Sequence, residues 1–398
     1  MYVKEQIFIN THKTNVLKLL TKNSSCCKMN LSLNKSGGRL MKFIHMADMH
    51  FDAPFTVLNT RSKLGEKRRL EQREAFKRII EYIENNNIEY LFIAGDLYED
   101  AYIRETTIEY INSLFKKIPN TKIYITPGNH DPYTINSMYS TFKWSTNVKI
   151  FKNNVETVEN DTVDIYGYGF NDYYCKSSEI ENIKIKNKDK INILITHGTL
   201  DGGGAPNLEY NPLNTAKLKQ LGFDYIALGH IHKADYNTEE NQRIVYPGST
   251  ISMGFDELGK HGVILGEIDK EKVKLEFLPI DKKEFVERKI DVTNIASVEE
   301  LIERIDEEQI EKDMFYKIIL VGKRNFEINT YYLYKFITEE NIIKIKDETQ
   351  INIDINELSK EINLKGLFLK EILDNKNNEN IDENTAEKII EIGLNVLK

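Results

Sequence analysis

The sequence predicts an α/β sandwich in which strands and helices alternate from Met41 to about residue 280. Apolar runs of strand length alternate with segments whose apolar residues recur at helical spacing. Most of these runs end in Gly, Asp, Asn or His, which places polar residues at the edge where open α/β sheets bind ligands. The chain has 398 residues, of which 40% are apolar and 29% charged, and this globular composition suggests two or three domains.

The predicted elements follow one another in a regular order. Five apolar runs are predicted strands, namely KFIHMA, IEYLFIAGD, KIYITPGNHD, KINILITHG and FDYIALGHIH. The first helix, EKRRLEQREAFKRIIEYIENN, has Phe76, Ile79, Ile80 and Ile83 at helical spacing. A second helix, TTIEYINSLFKKI, follows the second strand. This succession is typical of an α/β domain.

The carboxyl-terminal part has a different texture. Residues 243–280 indicate a short β-meander that closes the first domain, so we assign residues 41–280 to that domain. Residues 285–350 predict a small α+β unit of two strands and a helix. Residues 353–398 predict a helical tail with an Asn-rich break, DNKNNENIDEN. The sequence contains no internal repeat.

Bulk properties exclude several classes of protein. No stretch approaches the roughly 20 apolar residues of a membrane span, so we expect no membrane partner and a cytoplasmic location. The three cysteines, Cys26, Cys27 and Cys175, lack zinc-type spacing and argue against a disulfide framework. The net charge of −8 argues against a general nucleic-acid coat. Binding to a polyanion would therefore need a local basic patch or a metal site.

Residues 1–40 do not resemble the rest of the chain. They have no clean periodicity, and they lack the continuous apolar core of a signal peptide. The residues GGRLM are what a GGAGG ribosome-binding site, a short spacer and ATG would encode in frame. We predict that Met41 is the native start and that residues 1–40 are a non-native extension. A genuine disordered arm is the alternative.

Five strand ends carry candidate metal ligands, in the motifs ADMHFD, AGDLYED, PGNHDP, THG and GHIH. Residues i and i+2 of a strand share a face, so Asp48 and His50 can point at one ion. Glycine precedes three of the candidates and permits tight turns there. The residues singled out are Asp48, His50, Asp96, Asn129, His130, Asp131, His197, His230 and His232.

Each motif alone is weak, because a single D-x-H or G-D also occurs in solvated turns. Together, GNHD and GHxH at successive strand ends indicate a dinuclear metal site. The donors are carboxylate, amide and imidazole without thiolate, which suits Mn²⁺, Fe²⁺ or Zn²⁺. The other histidines, His12, His45 and His261, are not expected to bind metal.

The motifs ADMH, AGD, GNHD, THG and GHIH resemble, in this order, the ligand set of the calcineurin-like metallophosphoesterases. HMADMHFDAPF, EAFKRIIEYI, GHIHKA and VYPGS look like one branch, the DNA-repair exonucleases of the SbcD and YhaO type, relatives of the Mre double-strand-break nucleases. The resemblance covers about residues 41–280 and is looser beyond. It implies a four-layer β-sandwich flanked by helices, with residues 285–350 as a capping domain.

The resemblance also implies a role for each candidate. One divalent ion would have the ligands Asp48, His50 and His232. A second would have the ligands Asn129, His197 and His230, and Asp96 would bridge the two ions. His130 would lie beside the scissile phosphate without binding metal, and Asp131 would orient it through a hydrogen bond. The expected ions are two Mn²⁺, with Fe²⁺ or Zn²⁺ as alternatives, and they would clamp the phosphate and activate water.

The substrate implied by the resemblance is DNA, cleaved as an exonuclease or endonuclease in DNA repair. Residues 61–78 add eight basic and three acidic residues, a segment that could follow a phosphate backbone. The DNA-binding candidates are Arg61, Lys63, Lys67, Arg68 and Arg69. An exposed helix face with i,i+4 ion pairs such as Glu74 to Arg78 explains this segment equally well.

The negative net charge suggests that most DNA affinity lies in a partner. In this family the partner is an SMC-like coiled-coil ATPase of the SbcC or YhaN type, and a homodimer is a further option. The tail residues Leu364, Phe368, Leu369 and Ile372 could pack on the ATPase or close the capping domain. Two other functions stay open, a small-molecule phosphodiesterase or phosphatase and a non-enzymatic scaffold for the ATPase.

Overall fold

Two β-sheets packed face to face build the fold up to residue 279 in a computed structural model, which describes residues 40–59, 63–201, 210–236, 242–352, 355–376 and 383–397. The predicted extension lies outside these residues except for Leu40. The elements up to residue 279 are β1 (Met41–Met46), α1 (Leu64–Asn86), β2 (Tyr90–Ala94), α2 (Glu105–Phe115), β3 (Lys122–Thr126), α3 (Met138–Thr141), β4 (Val148–Ile150), β5 (Glu156–Glu159), β6 (Val163–Tyr168), β7 (Ile191–His197), β8 (Thr199–Leu200), β9 (Pro212–Leu213), α4 (Thr215–Leu221), β10 (Tyr225–Gly229), β11 (Ile244–Val245), β12 (Gly262–Ile268) and β13 (Val273–Pro279). Short 3₁₀ turns cover Thr56–Asn59 and Ile180–Asn182.

The strand order confirms the predicted α/β class. The first sheet has the order β13-β12-β1-β2-β3-β4, and β1 to β4 pair in parallel. The second has the order β11-β10-β7-β6-β5, and only β5 pairs antiparallel. Parallel neighbours bring the carboxyl ends of β1, β2 and β3 to one edge, as they do for β7 and β10. Ligands are expected at such an edge.

A buried histidine ties the inner faces of the two sheets together. His45 of β1 donates from Nε2 to the carbonyl of Leu228 at 3.2 Å, and its Nδ1 accepts from the Tyr225 hydroxyl at 2.9 Å. Burial lowers the pKa of His45 to about 3, so the ring is neutral and can both donate and accept. His45 is therefore a core residue.

Helices cover the outer faces. The apolar residues of α1, including Phe76, Ile79 and Ile80, pack with Ile44 and Ile93 in the core of the first sheet. On the second sheet, α4 contributes Leu218 to a separate apolar cluster. The predicted meander is divided between the sheets: β12 and β13 form an antiparallel hairpin, whereas β11 pairs in parallel with β10. Both residues of β11 are buried, because this short strand pairs with β10 in the second sheet.

A three-stranded sheet follows residue 283. The remaining elements are β14 (Glu284–Asp291), α5 (Val298–Asp306), β15 (Met314–Val321), β16 (Lys323–Arg324), α6 (Thr330–Phe336), β17 (Ile342–Asp347), β18 (Gln350–Ile351), α7 (Ile355–Leu358), α8 (Leu364–Lys376) and α9 (Glu383–Val396). β14, β15 and β17 form a parallel sheet over an apolar cluster that includes Ile318 and Leu333. Over residues 284–351 the unit has three strands and one helix more than predicted. We propose that residues 285–350 form a capping domain.

The tail is helical, as predicted. Leu369 of α8 packs with Ile390 and Leu394 of α9 in a small apolar cluster. Among the described residues, no helix combines the length and apolarity that crossing a membrane requires.

Candidate dinuclear metal site

Five strand ends converge as the motifs predict. Asp48 and His50 follow β1, Asp96 follows β2, Asn129 and His130 follow β3, His197 ends β7, and His230 and His232 follow β10. Three overlapping sets of side chains each place their ligand atoms within 4.8 Å of one another. These sets are Asp48 with His50 and His232, His50 with Asp96 and His130, and Asp48 with Asp96 and His197.

The first half of the site is formed by two facing imidazoles. Nε2 of His50 lies 3.2 Å from Nε2 of His232. Each ring donates from its other nitrogen to a carboxylate, His50 to Glu99 at 2.7 Å and His232 to Glu257 at 2.6 Å. Their Nε2 atoms therefore converge on one point, where a divalent cation could bind in place of a proton shared by the two rings. Asp48 lies 3.9 Å from Nε2 of His232, so these donors fit one divalent ion.

The second half is built around His197. Its Nδ1 donates to the carbonyl of Ala94 at 2.9 Å, which leaves the Nε2 lone pair 3.0 Å from Oδ1 of Asn129. The same amide oxygen lies 3.2 Å from Nδ1 of His230. Asn129, His197 and His230 thus gather as the resemblance implies, and their donor types fit a second divalent ion.

The pKa values show where this half attracts positive charge. Burial acts to lower the pKa of His197, but the Asp96 carboxylate outweighs burial and raises that pKa to about 9. Burial and the neighbouring His197 lower the pKa of His230 to about 3. The raised pKa means that His197 holds a proton on Nε2. A divalent cation bound there would take the place of that proton.

Asp96 lies between the two halves. Its Oδ2 is 3.3 Å from Nε2 of His197 and 3.8 Å from Nε2 of His50, while its Oδ1 accepts the backbone N–H of His130 at 2.8 Å. Burial acts to raise the pKa of Asp96, but the neighbouring histidines hold it well below its usual range. An ionised carboxylate shared by both imidazoles is suited to bridge two ions.

The backbone is strained where it presents ligands. Four ligand residues have a positive φ, between 49° and 104°, a backbone conformation that residues other than glycine rarely adopt. They are Asp48, His50, Asp96 and His230. Such strain is typical of functional sites because the surrounding structure must maintain it. Gly95 also has positive φ, and a Cβ there would collide with the His197 ring. The glycine before Asp96 therefore permits both the turn and the approach of a ligand.

His130 is placed differently from the other histidines. Its side chain is 45% exposed, and its Nδ1 donates to Oε2 of Glu99 at 3.0 Å. This hydrogen bond to the Glu99 carboxylate raises the pKa of His130 to about 9, although burial acts to lower it. The other oxygen of Glu99 accepts from His50, so one carboxylate holds a candidate ligand and the exposed histidine together. Burial acts to raise the pKa of Glu99, but the bonds from His130 and His50 lower it to about 2.

The predicted orienter of His130 is corrected by this geometry. Asp131 does not bond to the His130 side chain; it accepts from the backbone N–H of Asp96, Leu97 and Gly128 and from the Tyr139 hydroxyl, at 2.6–3.0 Å. Asp131 therefore fixes the loops after β2 and β3 to each other, and Glu99 orients His130. Sequence reasoning missed both Glu99 and Glu257. The only signal for Glu99 was its place in AGDLYED, three residues after Asp96.

We expect the two missed carboxylates to have separable effects. Glu257→Gln should weaken binding of one ion by about 10–100-fold, because Glu257 orients His232 alone among the ligands. Glu99→Gln should weaken the same ion similarly and also lower turnover at saturating metal, because it frees His130. Metal titration and turnover of both variants test this expectation. Equal turnover of the two variants at saturating Mn²⁺ would show that Glu99 does not orient His130.

The predicted DNA-binding residues are not equally placed. Arg61 lies outside the described residues. Lys63 and Lys67 are exposed on the first turns of α1 and Arg69 is half-buried, with Lys67 3.5 Å from Glu340.

Arg68 is a correction to the predicted DNA-binding set. It is buried, pairs with Asp281, and donates to Glu71 at 3.1 Å and to the carbonyl of Ser252 at 3.0 Å. Its guanidinium therefore anchors α1 to the linker before β14 and cannot meet a nucleic acid.

Parts of the chain are similar to known proteins. Residues 41–234 match the model of the calcineurin-like phosphoesterase family. The chain is 25% identical over 276 residues to the uncharacterized metallophosphoesterase YhaO of Bacillus subtilis, which covers 67% of each chain. It is 27% identical over 256 residues to a subunit of the SbcCD nuclease of Staphylococcus epidermidis, which covers 55% of this chain and 64% of that relative, less than two thirds of its length. The solved structure of TT1561 from Thermus thermophilus matches with a TM-score of 0.36 and 9% identity, over 60% of this chain and 99% of that one.

The family match over residues 41–234 and the gathered donors are those of metal-dependent hydrolases of phosphoesters. Residues 41–234 are a calcineurin-like phosphoesterase domain, and the predicted resemblance to the SbcD and YhaO branch is confirmed.

Proposed function

We propose that the protein is a dinuclear-metal nuclease that hydrolyses phosphodiester bonds of DNA in DNA repair, in the cytoplasm. The observation that supports this most directly is the pairing of a complete donor set with a half-exposed histidine held by Glu99. The similarity to a nuclease subunit favours DNA over a small phosphodiester. Two divalent ions, which we propose to be Mn²⁺, would supply a clamp for the phosphate and activation of a water nucleophile.

We assign metal binding, proton donation and DNA contact to different residues of the chain. Asp48, His50 and His232 would hold one ion, Asn129, His197 and His230 the other, and Asp96 both. His130, at the exposed mouth, would donate a proton to a phosphate oxygen or to the leaving oxygen as charge develops. The start of α1 would contact the DNA backbone through Lys63, Lys67 and Arg69. The same helix is connected to the metal site, because Gln72 donates to the carbonyl of His50 at 2.9 Å.

One set of assays tests the proposal against its alternatives. Purified protein with Mn²⁺ is given linear duplex DNA, short single-stranded DNA or bis-p-nitrophenyl phosphate, with EDTA as the control. We expect cleavage of DNA that EDTA abolishes. Hydrolysis of bis-p-nitrophenyl phosphate alone would identify a small-molecule phosphodiesterase. Two bound ions without hydrolysis of any substrate would identify a scaffold.

We further propose that the tail binds an SMC-like coiled-coil ATPase of the SbcC or YhaN type, with homodimer formation as a further option. The structure separates the apolar residues of the tail into two groups. Phe368, Leu369 and Ile372 pack in a cluster formed by the helices of the tail itself. Leu364 and Leu367, by contrast, are 72% and 64% exposed one helical turn apart on α8. Exposed apolar pairs of this kind favour a protein partner.

Substituting both exposed leucines by aspartate is expected to weaken association with the ATPase by at least about tenfold, because each buried leucine is worth about 1.5–3 kcal/mol. Metal content and cleavage of short single-stranded DNA should not change, because the donors of the site lie between Asp48 and Glu257. Co-purification of the two proteins after co-expression measures the effect. Tyr331→Asp, at a side chain 72% exposed outside the tail, is the matched control. Undiminished co-purification of the double variant would exclude this face as the binding surface.

A further inference from the structure

Two tyrosines continue the row of rings that leads out of the metal site. The rings of His197 and His230 lie 5.1 Å apart, and the ring of Tyr210 lies 5.0 Å from that of His230. Tyr174 then stacks on Tyr210, with ring centroids 5.9 Å apart and planes 15° from parallel. Tyr210 is half-buried, but Tyr174 is 59% exposed. The row therefore ends in an aromatic ring that is largely open to solvent.

Hydrogen bonds hold this ring at the rim of the site. Cys175 pairs with Tyr210 in a parallel bridge, and its carbonyl accepts the backbone N–H of Asn211 at 2.6 Å. On the other side, the Tyr173 hydroxyl donates to Asp100 at 2.8 Å, and the N–H of Asp100 donates to the carbonyl of His130 at 2.9 Å. The segment that carries Tyr174 is thus tied both to the His230 side and to the loop of His130.

We propose that Tyr174, supported by Tyr210, is a stacking platform for a nucleobase next to the scissile phosphate. The inference rests on the proposed nuclease function and adds to it a base-binding subsite. A nucleobase offers a flat π-face to an exposed aromatic ring whatever its identity, so such a platform would hold the strand without reading its sequence. Packing alone accounts for Tyr210, which lies between two rings. It does not account for Tyr174, which stacks on Tyr210 and is nevertheless 59% exposed.

Short single-stranded DNA provides the test, because a base can be removed from the substrate as well as a ring from the protein. One oligonucleotide is intact, and the others carry an abasic residue at one of the positions flanking the cleaved bond. Wild type, Tyr174→Ala and Tyr174→Phe are compared by kcat/KM with Mn²⁺. Tyr331→Ala, which removes an exposed tyrosine from α6, is the control. Metal occupancy is measured for each variant to show that the site is intact.

We expect Tyr174→Ala to lower kcat/KM on intact DNA by about tenfold, the usual loss for one stacked base. Tyr174→Phe should retain the wild-type value, since stacking does not need the hydroxyl. One abasic oligonucleotide should cost the wild type the same factor and cost Tyr174→Ala nothing further, because both changes remove one interaction. Equal losses for Tyr174→Ala on intact and all abasic DNA would overturn the platform while DNA cleavage stands. A wild type that cleaves none of the oligonucleotides would overturn the nuclease function, and the platform with it.

Discussion

Asp96→Ala is expected to abolish phosphodiester hydrolysis and to release both metal ions from the site. The reason is the position of the carboxylate, whose Oδ2 lies 3.3 Å from Nε2 of His197 and 3.8 Å from Nε2 of His50. Asp96 is placed so that one carboxylate reaches an imidazole of each half of the site. In the proposed assignment, removing this carboxylate takes a ligand from each ion, whereas removing one ligand histidine takes a ligand from one ion.

The fold should survive this substitution, because Asp131 still accepts the backbone N–H of residue 96 at 3.0 Å and keeps the loop in place. Metal analysis, circular dichroism and turnover with Mn²⁺ are measured together. Asp52→Asn is the matched control, since Asp52 is a nearby carboxylate that accepts from Thr107 at 2.7 Å outside the donor sets. Two retained ions with normal turnover in Asp96→Ala would show that Asp96 does not bridge.

The ligands could be predicted because they are local to strand ends. A strand that ends in Asp48 and His50 needs no knowledge of distant residues, and the edge of a parallel sheet then brings the ends together. Asp131 shows the limit of this reasoning. It is adjacent to His130 in sequence, but on the turn it points at the N–H groups of Asp96, Leu97 and Gly128, while Glu99 from another loop reaches the imidazole.

Contacts between residues far apart in sequence were not predictable, because local patterns do not show which distant segments meet. Arg68 lies in a run of charged residues that indicates a solvated helix face, yet its partner Asp281 is 213 residues away. Such a pair becomes visible only when the helix and the linker are placed. The third strand of the β14-β15-β17 sheet, β17 (Ile342–Asp347), shows only a weak alternation of Ile and Lys, and its place in the sheet is set by parallel pairing with β15. Pairing between distant segments therefore decided what local patterns left open.

Substitution of His130 is expected to impair catalysis without impairing metal binding. We expect His130→Asn to keep both metal ions and DNA binding, and to lower turnover by about 10²–10³-fold, the usual cost of losing one donor to a developing charge. His230→Asn should lose metal as well, because Nδ1 of His230 lies 3.2 Å from Oδ1 of Asn129 within the second half of the site. His130 differs because its Nδ1 is already bonded to Glu99 and its side chain is 45% exposed.

The competing assignment makes His130 a ligand, since one set of converging donors joins it to His50 and Asp96. Metal occupancy and turnover of both variants at saturating Mn²⁺ distinguish the two assignments. If His130 is a ligand, His130→Asn loses an ion and excess Mn²⁺ restores part of its turnover. If His130 is a donor to the phosphate, occupancy stays at two ions and no concentration of Mn²⁺ restores turnover. The contact with Glu99 favours the second result, because it engages Nδ1 of an imidazole that is 45% exposed, so Nε2 could serve a bound phosphate.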